Sequence, residues 1–279
     1  MSKKMAGALA GLVRLGSVWQ KPNRRASTRA LVCERLAPSI TVATPAGPLQ
    51  FYAPSARALH DPANFGRDEP ETVRWIDGLP REEVLWDIGA NIGTYALYAA
   101  KTRGMRVLAF EPSASSYAVL VRNVEINALA DLVDSYCLAF DERTRLDHLH
   151  MAHTEAGHSL HAFGQDETIG GKLALVFRQS VPGFSVDSFC EIFAPPPPDH
   201  IKLDVDSIEL AILRGATRSL VMQVKSLLVE IDSAAQRPSG IREFLAGIGF
   251  AEDADFMAAG ARRNVLFRKR SPRDPERER

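Results

Sequence analysis

Cysteine is scarce in this chain: Cys33, Cys137 and Cys190 are the only three among 279 residues, far apart and odd in number. That excludes a disulfide framework and any C-x-x-C metal or redox pair, and points to a reducing, cytoplasmic compartment. Long apolar runs are missing as well. The longest near the N-terminus, residues 5–13, is too short to span a bilayer and is followed at once by Arg14. No convincing signal-peptide cleavage site precedes the basic run at 21–25. There is no G-x-x-x-x-G-K-[ST] loop to cradle a nucleotide phosphate. With 46% hydrophobic and 24% charged residues, the chain has the composition of a globular protein with a sizeable core.

Net charge is absent too, 34 Lys and Arg balancing 34 Asp and Glu, but the balance conceals a gradient. Residues 1–30 carry seven basic and no acidic residues, and 262–279 carry eight basic and three acidic. The stretch between carries 19 basic against 31 acidic. An acidic body is a poor footprint for nucleic acid, whose phosphates need a basic patch, so a small-molecule or glycan acceptor is expected instead. The chain also has no [DN]-P-P-[YF] motif and no Pro-Cys nucleophile of the kind used on nucleic acids. Met5, Leu9, Leu12 and Trp19 share one helical face near Lys3, Lys4 and Lys21. That pattern suits either weak contact with an anionic membrane surface or packing against the body.

What is present is a regular alternation. Residues 1–38 read as a basic leader, helical or partly disordered. Residues 39–80 read as a β-hairpin (39–43 and 49–53) with a helical lead-in, 81–270 as the main domain, and 271–279, without apolar residues, as a disordered tail. From Glu83 onward, strand-like runs at 84–88, 106–110, 135–140, 201–205 and 226–231 alternate with helical patterns at 94–101, 113–127, 208–219 and 242–248. Segments near 250 and over 264–267 supply a closing antiparallel pair. This predicts an α/β fold, a doubly wound three-layer sandwich around a mostly parallel seven-stranded sheet. The polar, histidine-rich stretch 141–180 reads as a hairpin insertion near the site.

The sharpest motif is Asp87-Ile-Gly-Ala-Asn-Ile-Gly-Thr94, where the first strand meets its helix. Gly89 and Gly93 permit a tight turn and leave room for a ligand at the strand's carboxyl end. Asp87 can receive a cationic amine, and Asn91 offers a donor and an acceptor. Glu111 follows the second strand, 18 residues after Gly93, where an acid can accept both hydroxyls of a ribose. Asn91 stands where a dinucleotide fingerprint has its middle glycine, so the ligand is an adenosine without a pyrophosphate. S-adenosylmethionine has that chemistry. An NAD-dependent oxidoreductase on a similar sheet is the alternative enzyme class, and a cofactor-binding protein without catalysis is a third reading.

The pieces VLWDIGANIGTYALYAA (84–100), LAFEPSASSYAVLVRNVEINAL (108–129), SVDSF (185–189), IKLDVDSIELAILRGA (201–216) and LLVEID (227–232) stand in an order that resembles the FkbM-type S-adenosylmethionine-dependent methyltransferases. The resemblance implies the class I methyltransferase fold. It implies cofactor contacts from Asp87, Gly89, Asn91, Gly93 and Glu111, with Asp141 near the adenine. It also implies O-methylation of a sugar, glycolipid, polysaccharide or secondary metabolite. Ser207 departs from the glycine usual at that place in the family.

Methyl transfer to oxygen needs proximity and a base for the hydroxyl proton. Asp204, at the end of the fourth strand, is the first candidate, with Glu230 behind it. Asp206 and Glu209 are equally well explained as acids of a first helical turn. Lys202 alternates with Asp204 and can pair with it, lowering its basicity. Five of the seven histidines fall within 148–161; His148 and His150 have a strand spacing that can hold a metal, but no metal is assigned, and His158 is a candidate general base.

Overall fold

The computed structural model describes residues 2–159, 161–165, 167–168, 171–206, 208–231, 240–260 and 263–270. It divides into two compact units, Met1–Ser39 and Ile40–Arg279. The first holds two helices, Ser2–Gly16 and Pro22–Arg35, the second opened by a proline whose missing N–H would be unsatisfied there anyway. Met5, Leu9, Leu12 and Trp19 all lie exposed on it. No helix among the described residues is long and apolar enough to cross a membrane.

The second unit is built on a seven-stranded sheet: β1 (Val84–Ile88), β2 (Arg106–Phe110), β3 (Val133–Tyr136), β4 (His200–Leu203), β5 (Ser226–Glu230), β6 (Phe250–Glu252) and β7 (Asn264–Lys269). The order is β6-β7-β5-β4-β1-β2-β3, with β7 antiparallel to both its neighbours and all other pairs parallel. Helices such as Thr94–Arg103 and Ala114–Ile126 provide the crossovers. The result is the doubly wound α/β sandwich that the alternation of strands and helices predicts.

Both faces of this sheet are covered, which is why its strands read as continuous apolar runs. Successive side chains point to opposite faces. Leu85 joins Val107, Ala109, Leu97 and Leu120 on one side. Trp86 and Ile88 join Leu108, Phe110, Phe189 and Leu203 on the other. The same alternation decides where the polar residues go. Asp87 falls on the face of Leu85, Lys202 is its direct partner in the β1–β4 register, and Glu230 falls on the face of Leu228. Three ionisable side chains from three central strands therefore meet at the carboxyl end of one face.

Three expectations need correction. The third strand is Val133–Tyr136 rather than 135–140. Ala139–Phe140 instead pairs in parallel with the end of Phe177–Phe184 in a second sheet, so one apolar run serves two sheets. The expected helix at 208–219 is two, Glu209–Gly215 and Thr217–Met222. The break falls at Ala216, directly after Gly215, which lies so close to the Asp141 carbonyl that a Cβ would stand 2.4 Å from that oxygen. The insertion is more than a hairpin. Arg145–Met151, His161–Phe163 and Phe177–Phe184 join Ala139–Phe140 in a four-stranded sheet, with Leu149, Met151, Phe163 and Val181 as its core. Ser207 and the tail at 271–279 lie outside the described residues.

Candidate functional site

A cavity of about 630 Å³ opens at the carboxyl ends of β1, β2, β4 and β5, the place where open α/β sheets bind ligands. Gly89, Asn91 and Glu111 line one part of it, and Glu69, Asp87, Lys202, Asp204 and Glu230 another. His158, His161 and Phe163 come from the insertion, and Arg57 from the lead-in.

The turn after β1 is built by close approach. Gly89 has φ +86°, and a Cβ there would lie 1.8 Å from the Asp204 carbonyl oxygen, so the β1 and β4 ends meet only because this residue has no side chain. Gly93, at φ +87°, starts helix Thr94–Arg103, where a Cβ would stand 2.4 Å from the Leu120 side chain. Asn91 takes a left-handed conformation (φ 50°) that asparagine tolerates better than most residues. Its backbone N–H donates to Glu111 Oε2 at 2.9 Å, while Ser113 N–H donates to Oε1 at 2.7 Å. The carboxylate is thus fixed by the backbone and keeps a lone pair on each oxygen for a ligand.

Burial pushes Glu111 up to about 7 against the pull of those two N–H groups, and pushes Asp87 up to about 6 against the pull of Lys202. Asp87 Oδ1 and Asn91 Oδ1 are buried with no hydrogen-bond partner among the described residues. Buried acceptors of this kind are costly unless a donor arrives. A ligand carrying an ammonium and hydroxyls fits them.

Deeper in the cavity, one ammonium is surrounded by carboxyl groups. Lys202 is buried, donates to Asp204 Oδ2 at 2.7 Å and stands 5.3 Å from the centre of the Tyr95 ring. Burial opposes its charge, but Asp204, Glu69 and Asp87 together hold its pKa well above the usual lysine value. Burial would likewise raise Asp204, yet Lys202 overrides it and keeps Asp204 ionised. Glu230 goes the other way, pushed from 4.5 to about 9 by burial and then by the Asp204 charge, so it holds a proton and donates it to Asp204 in a hydrogen bond.

That proton has a consequence for stability. Between pH 4.5 and 9 the folded protein binds one proton more at Glu230 than the unfolded chain, so this residue makes stability fall as pH rises through that window. Glu230→Gln, neutral at every pH, is expected to flatten the fall, most visibly above pH 8, where Glu111 and Asp87, near 7 and 6, are largely ionised. Urea unfolding from pH 5 to 9 reads this directly. An unchanged slope would mean that Glu230 is ionised in the folded state.

The methyltransferase FkbM domain family matches residues 87–256 of this chain. The chain belongs to the FkbM methyltransferase family. Among its relatives, methyltransferase sdnD of Sordaria araneosa is 28% identical over 200 residues, covering 60% of this chain and 71% of that protein. The hexuronic acid methyltransferase AglP of Haloferax volcanii is 26% identical over 180 residues, covering 64% of this chain and 68% of that protein. A solved structure, the methyltransferase FkbM of Methylobacillus flagellatus, is 16% identical with a TM-score of 0.45; the match covers 68% of this chain and 44% of that one, less than half its length. The protein is a methyltransferase.

Within this FkbM fold, Asp87, Gly89, Asn91, Glu111, His158, Asp204 and Glu230 all line the one cavity. Gly93 shapes the turn from behind and does not line it. Asp141, expected beside the adenine, does not line the cavity either. It is buried and ion-paired with Arg145, and the neighbouring Leu138, Ala139 and Phe140 face the cavity instead. Asp206 lines it in a left-handed conformation (φ 65°), while Glu209 is buried in the first turn of its helix. Sequence reasoning missed Glu69, Tyr95 and Arg57. Tyr95 directly follows the motif and reads as one more apolar helix residue, and nothing in the lead-in distinguishes Glu69 or Arg57 before the fold brings them to the strand ends.

Proposed function

We propose that this methyltransferase moves a methyl group from S-adenosylmethionine to a hydroxyl of a sugar, glycolipid, polysaccharide or secondary metabolite. The observation that carries the reading is the pairing, in one cavity, of a backbone-fixed Glu111 and two unpartnered buried acceptors with an acid-rich pocket around Lys202. Glu111 would receive the ribose hydroxyls, and Asp87 and the Gly89–Asn91 turn the amino acid end. When bound, the cofactor supplies an electrophilic methyl group. The acid-rich pocket suits a polyhydroxylated acceptor, because carboxylates accept hydrogen bonds from hydroxyls. No cysteine is among the described residues lining the cavity.

Asp204 is the proposed base. A carboxylate held ionised by Lys202 is weak, but an oxygen that has begun to form a bond to carbon becomes strongly acidic, so a weak, well-placed acceptor suffices. Glu230 orients Asp204 by donating to it, and Lys202 fixes it from the other side. The relative AglP carries hexuronic acid in its name, and Arg57 and Arg263 beside this cavity are groups that could receive an acceptor's carboxylate.

Incubation with methyl-labelled cofactor and fractionated cell extract tests the reading. Label is expected in a hydroxyl-bearing fraction as an ether stable to mild alkali. Asp204→Asn should lower transfer by about 100-fold while cofactor binding is kept. Label that mild alkali releases would indicate a carboxyl ester and overturn the hydroxyl assignment; undiminished transfer by Asp204→Asn would overturn the base.

A further inference from the structure

The loop joining Arg145–Met151 to His161–Phe163 holds a cluster that methyl transfer does not use. His153, Glu155 and His158 each bring one ligand atom within 4.8 Å of the others. The two imidazoles stack, with centroids 4.3 Å apart and planes 22° from parallel. The histidines singled out by spacing, His148 and His150, have centroids 6.5 Å apart on the neighbouring strand and are not in this group. Two imidazoles and a carboxylate are a donor set for a divalent transition metal, with at least one coordination position left open. Ligands about 2.1 Å from a tetrahedral ion stand about 3.4 Å from one another. Small rotations of these side chains, two of them exposed, bring them to that spacing.

The loop between the ligands is anchored. Ala156 is buried against Ala53, Ala58 and Ile92, and its carbonyl accepts from Ser55 Oγ at 2.7 Å. Gly157 (φ +86°) presses so closely on the 57–58 backbone that a Cβ would lie 2.5 Å from Ala58 Cα. Its N–H donates to Ser116 Oγ at 3.1 Å, and its carbonyl accepts from Arg57 Nε and from Asn91 Nδ2, both at 3.2 Å. Glu155 and His158 therefore flank two fixed residues, so little conformational freedom is lost when an ion arrives. His158 also lines the cavity, and Asn91 ties the loop to the glycine turn.

We propose that His153, Glu155 and His158 form a divalent transition-metal site, zinc in type, bordering the cavity. Binding of the ion does not depend on the methyl-donor reading. The test is calorimetric titration of the untagged, metal-free full chain with zinc chloride. One ion per chain is expected, with affinity falling by about 100-fold or more in His153→Ala and in His158→Ala. His148→Ala and His150→Ala should bind as the wild type does. Cobalt(II) should give visible ligand-field bands in the wild type that His153→Ala lacks, and circular dichroism of metal-free His153→Ala confirms its fold. Absence of zinc binding by the wild type would overturn the proposal, and so would equal binding by all variants, which would mean an adventitious ion only. Failure of S-adenosylhomocysteine to bind would count against the methyl-donor reading alone.

Discussion

Lys202→Met is expected to destabilise the protein by about 3–5 kcal/mol at pH 8, the range for removing one partner from a buried ionic cluster. Lys202 is the only ammonium facing Asp87, Asp204 and Glu69 at the ends of β1 and β4 among the described residues lining the cavity, and it is 3% exposed. Methionine fills much the same volume, so the loss is electrostatic rather than a cavity effect. The sign of its pH dependence follows. Without the ammonium the folded-state pKa values of these acids rise, Asp204 losing what holds it low, the folded form takes up protons, and the penalty shrinks as pH is lowered toward 5. Urea unfolding at pH 5 and pH 8 measures both parts. A loss below about 1 kcal/mol at pH 8, or one that does not change with pH, would show that the cluster is solvated and its charges screened.

The second large effect is on cofactor binding. Glu111→Ala and Asp87→Ala are each expected to weaken S-adenosylhomocysteine binding by about 100-fold, as two hydrogen bonds to a charged group at about 1.5 kcal/mol each would give. Because Glu111 ionises near 7 and Asp87 near 6, affinity in the wild type should fall as pH drops from 8 to 5.5, the charged forms being the ones that receive the ligand. Calorimetry across that range reads both. Glu111→Ala also frees the Asn91 N–H, so its unfolding midpoint must be measured beside its affinity. Binding unchanged in both variants would remove these residues from the site.

Much of this was legible in the sequence because the parallel sheet writes itself plainly. β1 and β2 are apolar runs buried on both faces, and a glycine turn and an acid stand where they end. Lys202 could be paired with Asp204 from their spacing alone, since residues two apart in a strand share a face. Strand alternation could not reveal that Asp87 and Glu230 converge on the same ammonium, because that depends on β4 lying between β1 and β5. That Asp141 lies off the cavity lining was hidden for a related reason. The chain leaves the large sheet after Tyr136 and enters a second one at Ala139, and no residue in the run 133–140 marks the transfer. The nearness of His153 to His158 was not legible, because they meet through a loop pinned by Gly157, a contact with residues about a hundred positions earlier in the chain.

The most direct measurement is a crystal structure of the full chain grown with S-adenosylhomocysteine. The ribose hydroxyls should lie on the Glu111 carboxylate and the amino acid end at Asp87 and the Gly89–Asn91 turn, with the sulfur facing Asp204. Electron density elsewhere, or an empty crevice in crystals that take up NADH instead, would contradict the proposed site.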